Sequence, residues 1–235
     1  MLFLKSRRQL STVRSRGAKP AWLLHLISEE LLTDEDINVF STQLTDLKLV
    51  GKLTDAAIGN NNRGIYSVAG TFEGRRGEDL LVKAMDLRAA DNWSEVRVLK
   101  ILGELVASGV FRDTERRLKW KGPKGGGSVP VIVMEKKPGV LIEKTEAYRK
   151  ASKKVQKEMV AQVRDLMCAE VADIAVTTGV YHDDNHKDNA LVELNGTKVL
   201  SVEVIDWGGS VYVVGRASKG EIARYCIEVW NRLYN

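Results

Sequence analysis

An α+β fold is predicted, in which a sheet of about five antiparallel strands, interrupted by one helix, precedes a half dominated by helices. Three observations predict it. Between Leu47 and Met134, short apolar runs of strand type alternate with Gly- and Asn-rich turns. Residues 92–107 and 155–178 instead repeat their apolar side chains near period 3.6. Pro138-Gly139 separates the two textures. The 235 residues, 44% of them apolar, suffice for one compact domain or two small lobes with a sizeable core.

In chain order, the first 28 residues carry Lys5, Arg7, Arg8, Arg14, Arg16 and Lys19, with no acid before Glu29. Two readings are open here: a solvated basic arm, or an Arg- and Ser-rich mitochondrial targeting sequence. After Pro20, Trp22, Leu23, His25, Leu26, Ile27 and Leu31 fit a short amphipathic helix. Thr33 is a candidate N-cap for Asp34-Glu35-Asp36, opening a second short helix that runs to about Leu44. Val50 to Ile58 reads as a strand, and Gly59-Asn60-Asn61-Asn62-Arg63-Gly64 as a turn-rich loop. Strands over Ile65–Phe72 and Leu80–Met85, joined by a turn at Gly74–Gly77, continue an antiparallel meander. A helix over Asn92–Ala107 aligns Trp93, Val96, Leu99, Ile101, Leu102 and Leu105 on one stripe. Strands at Leu118–Lys121 and Val129–Met134, flanking the flexible Gly122–Ser128 loop, complete the sheet.

Beyond Pro138-Gly139 the chain turns helical and, from Lys144, strongly basic. A long helix over Val155–Thr178 carries Met159, Val163, Leu166, Met167, Val171 and Ile174 on its apolar face, with Cys168 as a core residue. A polar loop, Tyr181–Asn189, leads into short strands at Ala190–Glu193 and Val202–Ile205 around an Asn195-Gly196 turn signal. A helix over Gly220–Leu233 follows. The organisation expected is a basic tail with a helical extension (1–46), a sheet-rich unit (47–139) and a helical unit (140–235).

Charge and composition exclude some classes. The net charge of +5 is a mild excess that does not by itself imply nucleic acid. No apolar run reaches the roughly 18–20 residues needed to span a bilayer, so no membrane partner is expected. Cys168 and Cys226 are too few for a disulfide framework, which points to a reducing compartment. The expected location is therefore cytoplasmic, with the mitochondrial alternative left open by the basic N-terminal segment.

Polar residues concentrate in one loop, where His182 is followed by Asp183, Asp184, Asn185, His186, Lys187, Asp188 and Asn189. Such density between two apolar elements suits an exposed loop, a metal site using His182 and His186 at i, i+4, or a catalytic loop. Downstream, Ile205-Asp206-Trp207-Gly208 sets a carboxylate at the end of an apolar stretch. Upstream, Lys83 lies at the centre of a predicted strand, where a lysine is costly unless paired. Glu95 on the following helix is the partner of choice, ahead of Glu104.

In this order along the chain, these residues resemble the protein-kinase-like superfamily. His182-x-Asp184-x-x-x-x-Asn189 has the spacing of the kinase catalytic loop, and Asp206-Trp207-Gly208 is similar to Asp-Phe-Gly. Val82-Lys83 stands where kinases carry their strand lysine, and Gly59 and Gly64 have the outer spacing of the glycine-rich loop, with Asn61 for its middle glycine. Val133 to Gly139 is similar to the segment linking the two lobes. The resemblance covers roughly Leu47 to Ser210. It implies a two-lobed fold with a five-stranded antiparallel N-lobe and a truncated helical C-lobe, binding ATP and Mg²⁺. Lys83, paired with Glu95, contacts the α- and β-phosphates, and the loop from Gly59 to Gly64 closes over them. The resemblance likewise implies that Asp206 and Asn189 hold Mg²⁺ and that Asp184 accepts the proton of the attacking hydroxyl. Met134 backs the adenine, whose edge meets backbone groups of Glu135 and Lys137. His182 braces the loop.

The chain also departs from the family. Asp183 replaces the arginine that often precedes the catalytic Asp, and His186, where protein kinases usually have lysine, is similar to aminoglycoside- and choline-type kinases. Few residues follow Gly208, so the acceptor side is unspecified and a partner protein is expected to complete it. The phosphate acceptor is thus a protein Ser/Thr or a small molecule. The basic run Arg149, Lys150, Lys153, Lys154 and Lys157 offers a contact surface. A competing expectation is a kinase-shaped binding module with little or no catalysis.

Overall fold

The computed structural model describes residues 18–27, 33–53, 62–85, 91–112, 127–208 and 211–234. Its elements in chain order are β1 (Leu23–Leu26), α1 (Asp34–Ile37), β2 (Leu49–Lys52), β3 (Asn62–Val68), β4 (Thr71–Phe72), β5 (Arg75–Arg76), β6 (Leu80–Met85), α2 (Asp91–Leu102), β7 (Leu105–Arg112) and β8 (Ser128–Glu135). There follow β9 (Val140–Leu141), α3 (Glu146–Lys150), α4 (Lys153–Thr178), β10 (Val180–His182), β11 (Ala190–Asn195), β12 (Lys198–Val204), β13 (Val211–Val214) and α5 (Lys219–Tyr234). The architecture is α+β with antiparallel sheets.

A five-stranded sheet in the order β2-β3-β6-β8-β7 organises the first half. The order of its first three strands and the helix inserted before the last two agree with the sequence pattern, but the second strand begins at Asn62, inside the expected loop, and ends at Val68, leaving Thr71–Phe72 to pair with Arg75–Arg76 as a separate hairpin. Side chains alternate across it. Tyr66, Val68, Leu80, Val82, Ala84, Val129, Val131 and Val133 enter one apolar cluster with Leu47, Leu49 and Phe72. Met85 and Ile132, from the opposite face, join a second cluster with α2, α4 and α5. Every residue from Val129 to Val133 is buried, because β8 is covered on both faces.

Four further expectations need correction. Residues 23–26 form a strand, not a helix: β1 pairs antiparallel with β13, His25 opposite Val213 and Leu26 opposite Tyr212. Cross-strand pairing with a distant segment overrides the local helical period, and the N-terminal stretch joins a sheet, β1-β13-β10, instead of forming a helical extension. Thr33 does cap α1 through a capping box with Asp36, but α1 ends at Ile37. The helix expected to reach Ala107 stops at Leu102. Gly103 adopts φ +73°, its N–H bonds Lys100 C=O, and Glu104 N–H bonds Leu99 C=O. That paired capping pattern ends the helix and frees Leu105 to begin β7. The fourth strand is therefore Leu105–Arg112, whereas Leu118–Lys121 and most of the Gly122–Ser128 loop lie outside the described residues. The open edge of β7 is covered by Thr42–Leu44, which exchanges backbone bonds of 2.8 and 2.9 Å with Val110.

In the second half, α4 packs against α5 and the β11–β12 hairpin. Ser152 caps its start, and Gly179, at φ +73°, ends it two residues short of the buried Tyr181. The hairpin turns at Gly196-Thr197, one position beyond the Asn195-Gly196 pair, since Asn195 pairs with Lys198. Lys137, after β8, bridges Glu104 at 2.6 Å and Glu203 of β12 at 3.3 Å, tying the sheet to the hairpin. Among the described residues no helix is long and apolar enough to cross a membrane.

The fourth correction concerns sulfur. Cys168 on α4 is fully buried, as expected of a core residue, but it forms a disulfide with Cys226 on α5. A count of two cysteines cannot reveal that two inward-facing helical positions 58 residues apart become neighbours. Closing a loop of that length stabilises by about 4 kcal/mol in the chain-entropy view. Thermal melts should show the protein losing roughly 10 °C in reductant, by the usual scaling for its size. An unchanged Tm after verified thiol release would show that the helices need no cross-link.

Candidate active site

Four elements converge around Lys83. Strand alternation places Lys83 on the face of β6 shared with Leu81 and Met85, opposite Ile65 of β3 and Ile132 of β8. Its Nζ lies 2.7 and 2.8 Å from the two oxygens of Glu95 on α2, and 2.6 Å from Asp206 Oδ1. Lys83 and Glu95 are almost wholly buried, at 5% and 2% exposure, while the Asp206 side chain is half exposed. Burial opposes the Lys83 charge, but Glu95 and Asp206 outweigh it and hold the pKa above the ordinary lysine range. Burial pushes the Glu95 carboxyl upward, against the pull of Lys83. The contact of Nζ with both Glu95 oxygens is that of an ammonium on a carboxylate. Glu104, the alternative partner, leaves the helix at Gly103 and binds Lys137 instead.

Asp206 follows β12 in a left-handed conformation, φ +64°, which is unusual for a residue other than glycine. Neighbouring contacts hold it there. Its carbonyl accepts a hydrogen bond from His182 Nε2 at 3.0 Å, and Ile205 N–H donates to Asn189 C=O at 3.0 Å. Trp207 is buried and meets the His182 ring edge-on, with centroids 4.9 Å apart. A Cβ at Gly208 would stand 3.1 Å from Glu95 Oε2, so this position has little room for a side chain.

His182 ends β10 and is 1% exposed. Its Nδ1 accepts the Asp184 N–H at 3.2 Å, so the proton sits on Nε2 and is donated to Asp206. Burial lowers its pKa, consistent with a neutral ring. Asn185, fully buried, donates to His182 C=O at 2.6 Å and to Tyr181 Oη at 3.3 Å. Asn189 donates its amide N–H to Asp184 C=O at 2.9 Å and to Asp184 Oδ2 at 3.2 Å, which leaves its own amide oxygen available. His186 Nε2 lies 3.3 Å from the same Oδ2, and its Nδ1 accepts the Asp188 N–H at 3.2 Å. Asp184 Oδ2 is thus held from two sides. The His182/His186 metal pair has no counterpart: His182 is on a strand and both rings have both nitrogens engaged. Among the described residues no group of three or more His, Cys, Asp or Glu side chains is placed to hold a metal.

The remaining sequence-selected residues lie elsewhere. Met134, half-buried on β8, is opposite Leu81. The Glu135 N–H is taken by Glu104 C=O at 3.1 Å, and its side chain pairs with Arg75. Gly64 is part of β3, at φ +131°, where a Cβ would run into the Lys52 side chain. Gly59 to Asn61 lie outside the described residues. Sequence reasoning left out Leu53, Ser67, Leu81 and Lys136. With Gly70, Thr71, Arg76 and others they line a cavity of about 610 Å³. Leu81 and Ser67 are directly opposite one another on the Lys83-bearing face, although none of Lys83, Glu95, Asp184, Asn189 and Asp206 lines the cavity. The signal for Leu81 was its i−2 spacing from Lys83 on one strand. Compared with known proteins, the chain matches no family model, and no curated protein is significantly similar to it.

Two outcomes are expected of this geometry. Replacing Lys83 by Ala strands a buried carboxylate and should cost about 3–5 kcal/mol, while the paired change Lys83→Met with Glu95→Leu should recover most of that. Denaturant melts of the single and double variants would expose an error if both lost equal stability. The hydrogen bond to Asp184 raises the His186 pKa above its ordinary 6.5, and the bond to His186 lowers Asp184 below its ordinary 3.8. The sign follows: the pair stabilises fully between those two values. Its contribution fades as pH rises through the folded His186 pKa, and as pH falls through that of Asp184. In an NMR titration, Asp184→Asn should return His186 toward 6.5, and an unmoved midpoint would mean that the two do not interact.

Proposed function

We propose that this protein is an ATP- and Mg²⁺-dependent phosphotransferase of two-lobed, kinase-like design, moving a γ-phosphoryl group to a hydroxyl. One observation carries the reading. A buried lysine on a sheet strand contacts, at once, a helical glutamate and the carboxylate of Asp206, and Asp206 is hydrogen-bonded through His182 to the loop bearing Asp184 and Asn189. Such an arrangement links one cation, several carboxylates and an amide oxygen, with the Asp206 side chain half exposed. Catalysis of phosphoryl transfer rests mainly on positioning and on neutralising charge, and these are the groups it requires.

The donors suit the metal. Mg²⁺ prefers hard oxygen ligands, and Asp206 offers a half-exposed carboxylate while Asn189 keeps its amide oxygen available. Bound Mg²⁺ would neutralise phosphate charge. Lys83 is the group for the α- and β-phosphates, and Glu95 fixes its ammonium on the strand face. Ser67 and Leu81 of that face line a cavity together with Val68 and Leu80 of the other, and this cavity is the candidate seat for the base. At the other end, His186 and Asn189 both hold Asp184 Oδ2, so Oδ1 is the oxygen that accepts the proton of an incoming hydroxyl. His182 has both nitrogens committed and acts as a brace, not a proton carrier.

Nucleotide binding tests this directly. Thermal shifts should be larger for ATP with Mg²⁺ than for ATP with chelator, each variant being referred to its own ligand-free melt. Lys83→Ala should abolish the shift. Asp206→Asn should remove the Mg²⁺-dependent part, whereas Asp184→Asn should preserve nucleotide binding and lose transfer. Absence of any shift in the native protein would leave a binding module of the same shape. Equal loss in the two aspartate variants would overturn the separate roles of Asp184 and Asp206.

A further inference from the structure

A basic ridge runs along the turn from β9 into α4, apart from the Lys83 cluster and the Asp184 loop. Between residues 143 and 158 stand Lys144, Arg149, Lys150, Lys153, Lys154 and Lys157, against Glu143, Glu146 and Glu158. All six cations are exposed. Two of the three acids are already engaged: Glu143 pairs with Lys187 at 2.6 Å and Glu146 with Lys150 at 2.5 Å. Among the described residues Lys144, Arg149, Lys153, Lys154 and Lys157 form no ion pair.

The placement of these charges opposes local stability. A helix N-terminus favours acids, yet the first turn of α4 holds Lys153 and Lys154 and no acid. Lys153 and Lys157, four apart, repel on one helix face. The Ser152 cap, the Lys153 bond to Gln156 at 3.1 Å and the i, i+4 spacing of Lys154 and Glu158 offset this only in part, because none of them places an acid in the first turn. Charge placed against the local preference of a helix start is the kind of exception found at functional sites.

We propose that this ridge is a docking surface for an acidic, extended segment of a partner protein. Five of the six cations are lysines, mobile point charges that suit the scattered carboxylates of a flexible chain, whereas bidentate phosphate recognition favours arginine. Between residues 143 and 158 the ridge offers no exposed aromatic ring for base stacking, Tyr148 being half-buried, and no exposed bulky apolar side chain to enter a bilayer, Val140 on β9 being the nearest. Its near end, at Glu143, is fastened to Lys187 of the loop that carries Asp184. Its far end is the start of α4, whose 26 residues span about 39 Å before Gly179. The surface therefore leads toward the candidate active site without overlapping it, and the inference stands apart from the phosphotransfer reading.

The test uses the full chain and a fluorescein-labelled twelve-residue Asp/Glu-rich peptide, read by anisotropy. Comparison probes are the same peptide with Asn and Gln for Asp and Glu, a single-stranded RNA of equal charge, and phosphatidylserine vesicles. The acidic peptide should bind best of the four and weaken steeply with salt. Lys153→Glu with Lys154→Glu and Lys157→Glu should weaken it at least tenfold while the melting temperature holds or rises. A control with the same change of net charge, Lys48→Glu with Lys198→Glu and Arg216→Glu, should bind within about threefold of the native chain. Equal weakening in both variants would reduce the effect to net charge and overturn the proposal. So would equal binding of the neutral peptide, or tighter binding of the RNA or the vesicles.

Discussion

The buried ammonium of Lys83 is the constraint around which the two halves are arranged. A strand lysine at 5% exposure survives only if negative charge reaches it. One carboxylate comes from α2, which packs beneath the sheet, and the other from the segment after β12, 123 residues away. The requirement explains several distant features together. Helix α2 must stop where Gly103 caps it, so that Glu95 lies under β6 while β7 returns to the sheet. Gly208 leaves room for Glu95, whose Oε2 would stand 3.1 Å from a Cβ there.

Asp206 shows how a strained backbone is held in place. Its left-handed conformation is supported by a carbonyl bond to His182, a carboxylate contact to Lys83 and the burial of Trp207 next to it. The same His182 ring orders the Asp184 loop through Nδ1. One neutral histidine thus joins the two loops with no change of charge, and its burial suits that duty because burial disfavours the protonated form. His186 differs. Partly exposed and bound to a carboxylate, it is the histidine whose charge responds to pH near neutrality.

The covalent and ionic ties outside the site share a pattern. Cys168–Cys226 joins α4 to α5, the Lys137 pairs join the sheet to the β11–β12 hairpin, and β1 with β13 binds the N-terminal stretch to a strand following Gly208. Each link is between segments far apart in the chain.

By itself, the sequence determined what local periodicity and turn chemistry control. The meander β2-β3-β6, helix α4 with its buried Met159, Val163 and Met167, the β11–β12 hairpin and the Thr33 cap were all legible, because each depends on residues within a few positions of one another. So was the pairing of Lys83 with Glu95, since a strand lysine needs an anion and the next helix offered one. Other features required the tertiary structure. Residues 23–26 have a helical period but lie against β13, and pairing free energy from a segment nearly 190 residues away outweighs a weak local preference. Cys168 and Cys226 bond because two helices face each other, a relation that counting cysteines cannot contain. The second anion on Lys83, the strain at Asp206 and the double hold on Asp184 Oδ2 arise only when β6, α2 and two loops meet. Electrostatic and hydrogen-bond energies depend on distance in space, and a sequence records only distance along the chain.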